Sequence, residues 1–261
     1  MRISRLMAPG MCAALMAAGS LGATVAMADQ SAPGDIEPRV MTTLKKMVEY
    51  FENANSLTFK ATTSTEDVSS TLQKLQFDTS IEGMVQRPNK ILLKKSGSEQ
   101  MTLWYDGQTV TILDRKTNKY ARAAVSGDLH SLVKKLDELG IEAPFAGLLD
   151  RNIIKHVEDH VFKGDYYGPT ELDGAQAIHL AFRQDAVDWQ LWTDAATGAP
   201  KKVVITSKML AAAPEHILVI KEVSTSKGVA QESLFEAALP ADATEVPIMA
   251  SGANAIRNSN W

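Results

Sequence analysis

The densest set of side chains able to do chemistry is His156-Val157-Glu158-Asp159-His160, two imidazoles and two carboxylates within five residues. Metal capture is what such a set could do, since histidines four apart share a face in a helix or a strand. A zinc-peptidase helix carries Glu directly after the first His. Here Glu158 falls in the middle of the spacing, so that template fails. Exposed polar residues entering a strand are the expected role. No G-x-S-x-G elbow, phosphate-cradling glycine loop or dinucleotide fingerprint occurs in the chain. Asp137-Glu138 and Glu158-Asp159 are adjacent acids, which diverge rather than flank a substrate. Asp188 and Trp189 have the residue types of a sugar site, but on a strand they face opposite sides. With no assembled acid–base or nucleophile set, a non-catalytic protein without cofactor or metal is expected.

What the chain offers instead is apolar surface. Across 164–207, tight turns at Asp173-Gly174 and Thr197-Gly198 separate short alternating runs. Ile178, Leu180 and Phe182 point one way, and His179, Ala181 and Arg183 the other. Val187, Trp189 and Leu191 repeat the pattern, leaving Trp192 on the polar side with Asp188 and Gln190. An antiparallel sheet with one apolar face requires a cover.

The preceding chain supplies more strands and the covers. Pro38 opens a helix to about Asn55, with Val40, Leu44, Met47, Val48 and Phe51 in one stripe. Strands are expected at 56–65, 75–85, 91–95, 101–105, 109–114 and 119–123. Gly83 suggests a bulge or bend in its strand. Asp128 caps a helix carrying Leu129, Leu132, Val133, Leu136 and Leu139, and Gly140 ends it. An apolar segment, 144–149, follows. Strands are expected to resume near Val157 and run to Val223, with a last ordered piece over 235–246. The fold class is mainly β (α+β): a large curved antiparallel sheet forming a half-open barrel, covered by the N-terminal helix and mid-chain helices.

Arg2 and Arg5, the apolar run 11–25 and Ala26-Met27-Ala28 form an export signal, with cleavage expected before Asp29. Gly19, Ser20 and Gly22 break that run, which Gly10 precedes, and it is too short to span a bilayer. Residues 29–37 then form a flexible lead-in, 38–246 a single domain and 247–261 a mobile tail. Cys12 is the only cysteine and leaves with the leader, which excludes disulfides and thiolate chemistry. Removing Arg2 and Arg5 from 27 basic residues leaves 25 against 31 acidic, a net charge near −6. Lysine pairs are scattered among acids, which excludes a nucleic-acid face.

Gln86-Arg87-Pro88-Asn89-Lys90, Trp104-Tyr105-Asp106-Gly107, the run 140–149, the run 164–174, His179-Leu180-Ala181-Phe182-Arg183-Gln184 and Asp188-Trp189-Gln190-Leu191-Trp192 come in that order. Together they resemble bacterial predicted periplasmic proteins of the domain of unknown function 2092 family. The resemblance covers roughly 38–246. It implies kinship with the periplasmic lipoprotein carriers and receptors of the LolA/LolB-like superfamily, whose half-open barrel and helical lid hold acyl chains. It brings no catalytic residues. No arginine matches the one with which those carriers hold their lid. The expected function is a soluble periplasmic carrier of a lipid or lipoprotein acyl chain. The expected lining is Phe51, Phe77, Ile81, Trp104, Phe145, Leu148, Leu149, Phe182 and Trp189. The alternatives are an envelope-stress sensor or other protein-interaction module with a filled core, and a hydrolase.

Overall fold

The computed structural model describes residues 34–52, 54–139, 141 and 153–247. In chain order the elements are β1 (Asp35–Ile36), α1 (Pro38–Glu52), β2 (Ser56–Val68), β3 (Lys74–Gln86), β4 (Lys90–Gly97), β5 (Met101–Tyr105), β6 (Thr109–Asp114) and β7 (Lys119–Ala124). Then come α2 (Leu129–Glu138), α3 (Ile153–His160), β8 (Lys163–Leu172), β9 (Ala175–Arg183), β10 (Val187–Asp194), β11 (Pro200–Ser207) and β12 (Glu215–Ser226). A 3-10 turn (Glu232–Phe235) leads to β13 (Thr244–Glu245).

Among the described residues, the thirteen strands form one sheet, ordered β1-β8-β9-β10-β11-β12-β2-β3-β4-β5-β6-β7-β13. It is curved and unclosed, with β1 and β13 at its edges. All pairings are antiparallel except those two edge strands, which run parallel to β8 and β7. Hairpins and short loops make every antiparallel pair but β12–β2, as the alternating runs require. The central joint is β12 against β2. It brings the two strand blocks together across more than 140 residues of sequence.

One apolar cluster fills the inner face, the face on which α1 packs. Val40, Leu44, Met47 and Phe51 of α1 meet Leu57, Val85, Ile91, Leu103, Tyr105, Leu180, Leu191, Val203 and Leu218 of the sheet. Each fully buried Val, Leu or Met contributes about 1.5–3 kcal/mol. α2 starts as its capping residue requires, with Asp128 Oδ1 accepting the Ser131 N–H at 3.0 Å.

Three local results differ from the sequence expectation. Strands do not resume near Val157. Ile153 and Val157 lie four apart on the buried side of α3, and β8 starts only at Lys163. So short a run satisfies both helical and strand spacing, and here the helix won. Gly83 makes no bulge, for it pairs directly with Phe59 in an unbroken register. Its missing Cβ makes room for the Phe59 ring, which would overlap any side chain there. Finally, the outer face is not simply wet. The 3-10 turn packs on β4, Phe235 is fully buried, and Lys90 pairs with Glu232.

The Gly83 contact predicts that Gly83→Val destabilises the fold by about 1–3 kcal/mol through overpacking. Leu44→Ala should cost about 2–5 kcal/mol through a cavity. Both should lower the urea midpoint at an unchanged slope.

Candidate functional site

The β-sheet register shows which candidate residues share a face. One cross-strand row runs Gly164–Phe182–Trp189–Ile205–His216–Thr65–Phe77. All seven point to the inner face, because pairing partners in a sheet project to the same side. At the β9–β10 end the row is sealed. Phe182 and Trp189 stack with ring centroids 3.6 Å apart and are 1% and 2% exposed. At the β3 end Phe77 is 44% exposed. The same face therefore passes from closed core to open apolar surface along one row.

The open end is built by length. β2 and β3 are thirteen residues each and run past the core. Their inward positions change from Leu57, Ala61, Ile81 and Val85 to Thr63, Thr65, Thr79, Phe77 and Leu75. Leu75 is also exposed, and Leu72 at the hairpin tip is 63% exposed at a φ of 63°. A leucine in the left-handed region is uncommon, since Gly or Asn fits there at less cost. The adjoining loop between β11 and β12 exposes Met209 at 73%. Lys74 ties hairpin to loop. Its Nζ lies 2.9 Å from Glu66 Oε2 and donates to the Ala213 carbonyl at 3.3 Å. Glu66 Oε2 also accepts the Glu215 N–H at 2.9 Å. The Lys74 hydrogen bond holds the Glu66 carboxyl below its ordinary value.

The nine expected lining residues therefore divide. Phe51, Phe182 and Trp189 lie inside the core cluster. Ile81 is buried on the inner face, four residues along β3 from Phe77. Phe77 stands at the open end. Trp104 is a correction, for its partners are Leu92 and Thr111, whereas the inner face carries Leu103 and Tyr105. It is buried on the outer face, the side on which its neighbours Leu92 and Met84 also lie. Phe145, Leu148 and Leu149 fall outside the described residues. Leu72, Leu75 and Met209 were missed, because alternation marks an apolar side chain for burial and cannot say that a strand outruns its cover.

His156 and His160 sit on α3 with ring centroids 4.7 Å apart, and the Gln184 side chain lies 3.2 Å from His156 Nε2. Among the described residues, no group of three His, Cys, Asp or Glu could hold a metal ion. On the outer face Tyr167, His179 and Trp192 form a cross-strand stack, at centroid distances of 5.1 and 4.2 Å. Lys202 lies over Trp192, and His179 Nε2 is 3.0 Å from Gln190 Oε1.

The family model of predicted periplasmic proteins, DUF2092, matches residues 41–249. The chain belongs to this family. No curated protein matches it significantly. Among solved structures, this DUF2092 chain is similar to an uncharacterized conserved protein from Thermus thermophilus, at 11% identity and TM-score 0.48, over 80% of this chain and 99% of that one. It is similar to a chain of the Pseudomonas aeruginosa MucA/MucB complex, at 14% and 0.44, over 77% of this chain and 62% of the other. A third similar structure is the LolA superfamily protein NE2245 from Nitrosomonas europaea, at 9% and 0.32, over 76% and 97%. Among the described residues, no helix is long and apolar enough to cross a membrane.

The outer stack predicts a pH effect. Burial, and secondarily Lys202, push the His179 imidazole below its ordinary value against the Gln190 hydrogen bond. A lowered folded value means the unfolded chain binds the proton first. The stabilising contribution is present above about pH 6.5 and is lost as pH falls toward the folded value. His179→Gln should flatten the decline in urea midpoint between about pH 7 and about pH 5 relative to the parent.

Proposed function

We propose that the chain is a non-catalytic periplasmic carrier of an apolar chain, a lipid or the acyl chain of a lipoprotein, exported by a cleaved leader ending at Ala28. The observation that carries this reading is the Phe182–Trp189–Ile205–His216–Thr65–Phe77 row, sealed at one end and open at the other. Such a face can take up a guest without unfolding its own core. The guest lies against Phe77 and Leu75, with the Thr63 and Thr65 hydroxyls beside it. The membership in a family of predicted periplasmic proteins supports the compartment.

The energetics suit transient holding. Each methylene buried contributes about 0.8 kcal/mol, so a sixteen-carbon chain gains on the order of 10 kcal/mol before ordering costs. A partly open face captures only part of that, which leaves release feasible. The polar groups needed are few, because an acyl chain offers nothing to hydrogen-bond along its length.

The test is titration of detergent-free protein with a fluorescent fatty acid, alongside mass spectrometry of organic extracts. Saturable uptake is expected. Phe77→Glu should weaken it at least about tenfold by putting a charge on the apolar face. Trp104→Phe, on the opposite side, should leave it unchanged. No extracted lipid and no saturable uptake would sink the proposal, and so would equal effects of the two substitutions.

A further inference from the structure

The two edges of the open sheet are not alike. An edge strand offers backbone groups to any extended chain, and proteins usually block it. The β8 edge is blocked from Lys163 to Pro169. β1 pairs with Lys163 and Gly164, and Glu37 Oε1 accepts the Tyr166 N–H at 3.1 Å. A bulge then interrupts the register between Tyr166 and Gly168, and Pro169 has no N–H to offer.

Among the described residues, the β7 edge has none of these devices beyond its first residues. Among the described residues, β13 covers only Lys119 and Tyr120. Thr244 N–H donates to the Asn118 carbonyl at 3.1 Å, and Val246 N–H donates to the Tyr120 carbonyl at 2.8 Å. Even-numbered residues therefore turn their backbone groups outward, and the next two are Arg122 and Ala124. The pairing of β7 with β6 is regular through Ala124, with no bulge and no proline. Three of the last four residues are alanine, so the backbone is accessible, and Arg122 and Ala124 are exposed.

We infer that the β7 edge docks an extended, acidic segment of a partner protein, which takes the place of β13 and continues past it as a further strand. Charge selects the segment. Arg122 shares its face of the strand with Tyr120, and its guanidinium sits 4.9 Å from the centre of the Tyr120 ring. β13 already shows the arrangement. Glu245 stands opposite Tyr120 and accepts its hydroxyl at 3.1 Å. A second acid two residues on would stand opposite Arg122. The alternate side chains would join Ala121 and Ala123 on the face shared with Ile112 and Val110, and so would be apolar. Backbone pairing supplies the affinity and these two alternating sets supply the selectivity. β13 is only two residues long, so it is easily replaced.

The test uses the full chain and a labelled peptide, acetyl-ATEVEVTV-amide, whose acids fall opposite Tyr120 and Arg122. Saturable binding by anisotropy is expected, with slowed amide exchange over 119–125 and unchanged exchange over 163–172. Arg122→Glu, an exposed substitution, should weaken binding about fivefold or more. The lysine counterpart, acetyl-ATKVKVTV-amide, should not bind. An absence of saturable binding, slowing along β8 instead, or equal binding of the two peptides would overturn the inference. These outcomes are independent of fatty-acid uptake, so the carrier proposal and this one can fail separately.

Discussion

The described fold follows from a mismatch between one wide sheet and the short helices that cover it among the described residues. Thirteen strands at about 4.8 Å spacing make a strip about 60 Å wide. The fifteen-residue α1 is about 22 Å long, and α2 and α3 are shorter. The sheet must curl to bury its apolar side against itself and against α1. Where α1 and α3 reach, the face closes around Val40, Leu44, Met47 and Val157. Where β2 and β3 outrun that cover, Leu75 and Phe77 stay in contact with solvent. Site and core are therefore two portions of the same surface, separated by how far the helices extend.

The sequence alone yields whatever has a clear period. The α1 stripe and the alternating runs of β3, β9 and β10 are legible because one face is apolar and the other polar. Trp104 shows where that logic stops. Leu103, Trp104 and Tyr105 are consecutive, and all three are buried. Without a polar neighbour the run carries no phase, so register alone assigns Trp104 to the outer face. The two-residue strands β1 and β13 are illegible for another reason. They form only where long-range contacts bring residues 35–36 and 244–245 to β8 and β7, and two residues hold no pattern. The exposure of Leu72 and Met209 is likewise a property of assembly.

The outer face shows how a sheet manages the side that α1 does not touch. Around β4 it is roofed by the 3-10 turn, with Phe235 fully buried. Around β9 and β10 it is stitched by Tyr167, His179 and Trp192, ring against ring, under Lys202. Cross-strand aromatic pairs of this kind hold neighbouring strands in register. Both devices stiffen the wall from the side opposite α1.

The Lys74 staple has a consequence for anyone who would rebuild this protein. One ammonium group joins Glu66, on the β2–β3 arm, to the Ala213 carbonyl in the neighbouring connection. Both protruding apolar tips, Leu72 and Met209, are thus mounted on a common hinge plate. A chimera that exchanges the arm while keeping the host connection would inherit mismatched halves. Swapped together, the two segments should transplant as one cassette.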